Sequence, residues 1–298
     1  MKKSMMLLIN PVAGRGLMRT GLGEALEVFY NGGYVPSVYF TEYAGHARTL
    51  AREHGGDYDL FVCLGGDGTL SDCMSGLSEL PEKPPIGYIP TGTANDVATT
   101  LGLSRNPLRA AHMIVSGEPI PYDLGRMDTG ETFSYIAAFG AFTEVSYQTR
   151  QQTKQALGHL AYIFEGMNHL PKLRHYKTHV EFDGGVIDDD LCFGGVTNST
   201  SVAGLVRLDD NLVGLGDGKF EIILIKNPNN VSDLSGILSG VLRRNYNNEY
   251  VTVLQSSRVR FTFEEPVAWT RDGENGGRHS EITLECLPEM YNIIVEKK

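Results

Sequence analysis

The chain has 298 residues, a hydrophobic share of 41% and a formal net charge of −10, long enough for two domains with a substantial core and too acidic for a general nucleic-acid binder or a wholesale electrostatic membrane binder. Four cysteines, at 63, 73, 192 and 286, have no C-x-x-C spacing, which fits reduced core thiols in a cytoplasmic protein rather than disulfides or zinc ligands. No apolar stretch is long enough to span a bilayer, and the signal-like start, Met1-Lys2-Lys3 before Met5 to Ile9, is too short and is broken by Asn10-Pro11.

The first part of the chain alternates short apolar runs with helical patterns. Met5 to Ile9 reads as a strand, Arg19 to Tyr30 as a helix, Val35 to Phe40 as a strand and Gly45 to Glu53 as a helix. Leu60 to Leu64 then leads through Gly65-Gly66-Asp67-Gly68 into a helix from Thr69 to about Leu77, and Ile86 to Ile89 leads through Pro90-Thr91-Gly92-Thr93-Ala94-Asn95-Asp96 into another. Such alternation predicts a parallel sheet covered on both faces, with ligands beyond the carboxyl ends of the strands. No G-x-x-x-x-G-K-[ST] and no G-x-G-x-x-G occurs, so neither a P-loop nor a dinucleotide fingerprint is available.

Past Pro119-Ile120-Pro121 the pattern changes. Strand-like runs cover Asp123 to Met127, Thr132 to Phe142, Thr178 to Phe182, Val186 to Thr197, Phe220 to Ile225, Tyr250 to Leu254, Arg258 to Phe263 and Glu281 to Leu287, which predicts an antiparallel second domain. A helical insertion near 146–170 carries Leu157, Leu160, Ala161, Phe164 and Met167 on one face, a stripe that suits core packing better than a lipid entrance. Arg150, Lys154, Lys172, Arg174, His175 and Lys177 form a basic rim that is either a solvated face or a contact for anionic headgroups. Asn227 to Asn230 and Asn245 to Asn248 read as polar loops.

Three strand ends carry the chemistry. Consecutive glycines after a strand let backbone N–H groups approach an anion, because no Cβ intervenes and positive φ is allowed. Asp67, set among such amides, would repel a phosphate unless a cation lay between them, which suggests Mg2+. A plain glycine turn explains Gly65 to Gly68 equally well when taken alone; Asn10-Pro11-Val12-Ala13-Gly14 and Thr91 to Asp96, at two further strand ends, tip the balance towards a phosphate site.

On these three motifs, with the late Asp272-Gly273-Glu274, the chain resembles the diacylglycerol kinase catalytic domain family, and within it the soluble bacterial members, over nearly its whole length. The resemblance implies an α/β plus β architecture: a doubly wound parallel-sheet nucleotide domain of the NAD kinase/phosphofructokinase-like kind at 1–122 with 289–298, and an antiparallel β-sandwich lipid domain at 123–288. It implies transfer of the γ-phosphate of ATP to a lipid hydroxyl, diacylglycerol by default, with Mg2+ as cofactor. It also implies a protein without a transmembrane segment that meets its lipid transiently at a membrane surface, and a homodimer. By the same resemblance Asn10, Pro11, Gly14, Thr41, Gly65, Gly66, Asp67, Gly68, Thr69, Ser71, Thr93, Asn95 and Asp96 bind the nucleotide, and Asp67 and Asp96 hold Mg2+. Glu274 is the general base, with Asp272 its partner or a second metal contact, two roles that are interchangeable from sequence. Asp217, with the carbonyls of Gly214 and Lys219, aligns with a structural Mg2+ site, although a hairpin turn explains the glycines equally well.

Simpler explanations stand beside several of these residues: Thr41 as the N-cap of the next helix, Asn95-Asp96 as capping residues, and Asp272 to Glu274 as a solvated turn. Two departures from the family pattern are Ser71-Asp72 in place of Asn-Glu, and a longer segment, Leu208 to Asn211, before Asp217. The rival enzymes are NAD kinase and a kinase for another hydroxylated lipid; the rival from a different class is a lipid or nucleotide sensor without turnover.

Overall fold

The computed structural model describes residues 2–13, 21–141, 174–202, 206–208, 213–244, 246 and 248–297. The chain is mixed α/β and forms two compact units, Met1–Asp123 with Glu289–Lys298, and Leu124–Pro288.

The first unit holds the strands β1 (Lys3–Ile9), β2 (Tyr34–Phe40), β3 (Leu60–Gly65) and β4 (Ile86–Pro90), and the helices α1 (Leu22–Asn31), α2 (His46–His54), α3 (Asp67–Ser78), α4 (Asp96–Thr100) and α5 (Pro107–Ser116). The strands are all parallel, in the order β4-β3-β1-β2. Met5 to Ile9 and Leu60 to Gly65 are buried at every position, the continuous apolar run expected when both faces are covered. Alternate residues serve the two faces. Met5, Leu7, Ile9, Leu60, Val62 and Leu64 share a core with Ala25 and Phe29 of α1 and Ala110, Ala111 and Ile114 of α5. α2 and α3 pack closely against each other, and a Cβ on Gly76 of α3 would stand 2.2 Å from the Arg48 carbonyl of α2, so a glycine is required there. α5 is absent from the sequence reading, yet its start is well marked: Pro107 takes the first position and Oδ1 of Asn106 accepts the Arg109 N–H at 3.0 Å.

β5 (Glu118–Met127) and β15 (Glu274–Val295) run from one unit into the other. At the end of β15, Ile293 pairs with Ile86 of β4, and the Tyr291 hydroxyl donates to the Met74 carbonyl of α3. Burial of that phenol pushes its pKa far up, so it remains a donor.

The second unit is built on a large antiparallel sheet. Its strands are β6 (Thr132–Phe133), β7 (Ile136–Gly140), β8 (Tyr176–Phe182), β9 (Gly185–Thr197), the short ladder of β10 (Ser201–Val202) and β11 (Val206–Arg207), then β12 (Phe220–Lys226), β13 (Val251–Ser256) and β14 (Arg258–Arg271), completed by the first part of β15; one further helix, α6, spans Val231–Arg243. β7 and β8 lie end to end in one slot between β9 and β14: Gly140 faces Phe193 and Tyr176 faces Leu191, so only Cys192 separates their partners on β9. The chain therefore leaves one line of the sheet after Ala141 and re-enters the same line near Arg174. The helical insertion expected near 146–170, and with it Arg150, Lys154 and Lys172, lies outside the described residues.

The core of this unit is aromatic. Phe139 sits 4.9 Å from Phe263, 5.0 Å from Trp269 and 5.6 Å from Phe261 between ring centroids, mostly edge to face. Two sequence expectations are corrected here. Arg258 to Phe263 is only the first half of a strand that continues to Arg271, and Glu281 to Leu287 is part of one strand of 22 residues, Glu274–Val295. α6, absent from the sequence expectations, follows directly on the polar loop Asn227 to Asn230, whose last residue caps it, Oδ1 of Asn230 accepting the Asp233 N–H at 3.0 Å.

Candidate active site

In the first unit the strand-end loops interlock. The Thr91 N–H donates to the Gly65 carbonyl at 2.8 Å, extending the β3–β4 ladder into both loops. Gly66 and Gly92 then meet backbone to backbone: a Cβ on Gly92 would stand 2.7 Å from Cα of Gly66, and one on Gly66 3.2 Å from Cα of Gly92. Gly65, Gly66 and Gly68 all keep negative φ, so close approach is what demands glycine at Gly66, not left-handed backbone as the sequence suggested. Gly68, at the start of α3, meets nothing within 4 Å along its Cβ direction. The left-handed residue is Asn95, φ +54, whose side-chain amide donates to the Gly92 carbonyl at 2.8 Å and holds the second loop closed.

Asp67 joins the two loops. Its carboxylate is buried and accepts the N–H groups of Asp96 at 3.1 Å and Val97 at 3.4 Å, at the start of α4. The capping role foreseen for Asn95 and Asp96 is thus supplied by Asp67 from the neighbouring loop. Asp96 is itself buried, which puts two carboxylate residues side by side under the loops. Thr91 contributes a buried hydroxyl with no hydrogen-bond partner among the described residues, an unmet requirement in the middle of the motif. Thr91 and Gly92 have no assigned role in the sequence motif; the strand-to-loop transition after Pro90 is the signal that marks both.

Asn10 ties in the third loop. Its Nδ2 donates to Oγ1 of Thr69 at 2.9 Å, while its Oδ1 accepts the N–H groups of Val12 and Ala13, shaping the turn after β1. Pro11 lies in that turn, and Gly14 is outside the described residues. Thr41 follows β2, its N–H donating to the Ile9 carbonyl at 3.0 Å. It is no N-cap, since α2 starts five residues later behind Gly45. Thr93 is exposed on the second loop and Ser71 is buried in the first turns of α3.

In the second unit, Asp272 and Gly273 form a two-residue hairpin between β14 and β15, with φ of +47 and +82, the type I′ geometry that Asp-Gly favours. From Glu274 onwards the chain is strand. The simpler explanation of Asp272 to Glu274 as a solvated turn does not hold for Asp272, which is buried. Its Oδ2 accepts the N–H and hydroxyl of Ser134 at 2.6 and 2.9 Å, and its Oδ1 accepts the N–H groups of Tyr135 and Ile136 at 3.0 Å each. The residue is 6% exposed, and its own N–H returns a bond to the Ile136 carbonyl. Such a carboxylate is an anchor for the hairpin rather than a displayed acid. Glu274 is the displayed one, its side chain 56% exposed and 3.9 Å from Arg271.

Asp217 accepts the Lys219 N–H at 3.0 Å, and the Gly214 backbone lies against its carboxylate, leaving no room for a Cβ. It is a single acid in an exposed turn, and the described residues contain no group of three His, Cys, Asp or Glu placed to share a metal ion. Of the basic rim, His175 lies 2.8 Å from Asp190 and Lys177 3.2 Å from Glu264, so each of these two has a carboxylate beside it at the surface. No helix among the described residues is long and apolar enough to cross a membrane.

Interlocked glycine loops at the carboxyl ends of a parallel sheet, with two buried acids beneath them, are the kind of arrangement that α/β proteins use to bind phosphate groups. The diacylglycerol kinase catalytic domain family matches residues 4–127. The chain is 33% identical over 274 residues to a diacylglycerol kinase of Bacillus subtilis strain 168, covering 91% of this chain and 89% of that one. It is 31% identical over 280 residues to a diacylglycerol kinase of Staphylococcus carnosus strain TM300, covering 93% and 90%. A crystal structure of a diacylglycerol kinase from Bacillus anthracis strain Sterne shares the fold, with a TM-score of 0.79 at 21% identity over 99% of this chain and 98% of that one. The chain belongs to the diacylglycerol kinase catalytic domain family, and it is a kinase.

Proposed function

We propose that this kinase transfers the γ-phosphate of ATP to the hydroxyl of diacylglycerol, yielding phosphatidic acid. The observation that carries it is the joined pair of loops, in which Gly66 meets Gly92 and Asp67 bridges to α4. The residues suit a nucleotide phosphate: Thr91 has an unused buried hydroxyl, and the Cβ direction of Gly68 opens on free space. They suit Mg2+ as well, because Asp67 and Asp96 are neighbouring buried acids that a cation would neutralise. When bound, Mg2+ offsets the charge of the phosphate oxygens. Asn10, Pro11, Gly14, Thr41, Gly65 to Thr69, Ser71, Thr93 and Asn95 orient the nucleotide.

Glu274 takes the proton of the acceptor hydroxyl as its oxygen attacks the γ-phosphorus, and Asp272 holds the hairpin that carries Glu274. Asp217, with the carbonyls of Gly214 and Lys219, is a candidate structural Mg2+ site. The same proposal includes the finer architecture of a doubly wound nucleotide domain and a β-sandwich lipid domain, transient contact of a cytoplasmic protein with the membrane, and a homodimer.

The test is phosphorylation of diacylglycerol in mixed micelles, and of NAD+ in parallel, by the purified protein with radiolabelled ATP and Mg2+. Label in phosphatidic acid is the expected result. Label in NADP+ would overturn the acceptor, and ADP binding without any phosphorylated product would favour a sensor. Glu274→Gln should keep ADP affinity while turnover falls by about a hundredfold or more.

A further inference from the structure

In the first unit the strand ends follow the order β4, β3, β1, β2. The phosphate-type loops occupy β4 and β3, Asn10 occupies β1, and the end of β2 is different in kind. Tyr43 is 60% exposed there, its ring stacked on that of His46 at 4.4 Å between centroids and 9° between planes. The pair is held from its own backbone. The Glu42 N–H donates to Nδ1 of His46 at 3.1 Å, the His46 N–H donates to the Tyr43 carbonyl at 3.2 Å, and Gly45, at φ +80, bends the chain between them. Val12 and Phe40 add exposed apolar side chains at the ends of the same two strands, β1 and β2, where Ile9 lies opposite Phe40. An apolar group of this kind beside polar loops is what a ligand groove presents.

We infer that the Tyr43–His46 pair is the platform on which the base of the nucleotide stacks. The inference rests on the nucleotide function proposed above and deepens it, naming a base subsite for that function. β3 and β2 are two ladder steps apart, about 10 Å, a gap that the ribose and inner phosphates span when the outer phosphates lie over Gly66 to Thr69. Thr41 then stands between platform and phosphates, its N–H already taken by Ile9. Stacking uses the π face common to all bases and reads no base edge. The alternative is a local staple, in which the two rings only brace the start of α2.

The experiment is calorimetric titration of the full chain, with Mg2+, by ADP and by inorganic tripolyphosphate. Tyr43→Ala should weaken ADP by about tenfold or more, as for a lost base–aromatic stack, and leave tripolyphosphate unchanged; Tyr43→Phe should restore ADP. Tyr43→Leu fills the volume of a staple without supplying a π face, and it should keep the melting temperature while losing ADP affinity as Ala does. Unchanged ADP affinity in both the Ala and Leu variants, or equal losses for ADP and tripolyphosphate, would overturn the platform and leave the kinase proposal standing. Failure of the unaltered chain to bind either probe would overturn the nucleotide function itself, and the platform with it.

Discussion

Asp272 illustrates how one side chain changes its meaning once its surroundings are known. Four donors converge on its two oxygens, three of them backbone N–H groups of consecutive residues, Ser134 to Ile136. Removing the carboxylate strands those N–H groups in a buried position, and each unmet donor costs about 1–3 kcal/mol. Asp272→Ala should therefore lower unfolding free energy by about 3 kcal/mol or more in urea titrations, with a second loss because Ala resists the left-handed φ. Asp272→Asn tolerates that φ and keeps one acceptor oxygen, so it should cost less. A purely catalytic Asp272 would instead show wild-type stability in both variants. Glu274, two residues on and exposed, should show the reverse pattern, with turnover lost and stability kept.

At the scale of elements, the two glycine loops make opposite demands on neighbouring positions. Gly92→Ala drives a Cβ to 2.7 Å from Cα of Gly66 and 2.8 Å from Oδ1 of Asn95, so the loops must separate. Its melting temperature should fall by several degrees, about 4 °C per kcal/mol for a domain of this size. Gly68→Ala meets no protein atom and replaces glycine with a better helix former at the start of α3, a gain of up to about 1 kcal/mol. It should melt at or above the wild-type temperature and yet bind ADP more weakly, because the free space is where the phosphates go. Normal ADP binding by Gly68→Ala would remove that space from the site.

Over the whole molecule, the thiols report on integrity. All four are free; Cys63, Cys73 and Cys192 are buried and Cys286 is partly exposed. Burial, reinforced by the neighbouring Cys63, holds the Cys73 thiol well above its ordinary pKa, and burial pushes Cys192 up to about 12. Thiolate is the reactive form. A native sample should therefore react with a colorimetric disulfide reagent quickly at Cys286 alone, and at all four sites in denaturant. Fast native labelling of Cys63 or Cys73 would mean that the β3–α3 region opens far more readily than its packing implies.

Sequence by itself determined the strand-loop-helix order of the first unit and the three strand ends at which chemistry sits. Short apolar runs stopped by Asn10-Pro11, Gly65-Gly66 and Pro90 have few alternatives to buried parallel strands, and the motif residues Asn10, Asp67 and Asn95 are tied to those ends by chain position. It also located the Asp-Gly turn, since only such residues enter a type I′ hairpin cheaply. Tertiary structure alone decided what these residues touch. That Gly66 needs glycine because of Gly92, that Asp67 caps a helix it does not precede, and that Asp272 is spent on Ser134 to Ile136 all depend on segments between 26 and 138 residues apart, and no local pattern records such pairings. The same holds for β14: Glu264-Glu265-Pro266 looks like a chain break locally, whereas pairing on either side of it, Thr262 with Glu281 and Val267 with His279, makes it an irregularity within one strand.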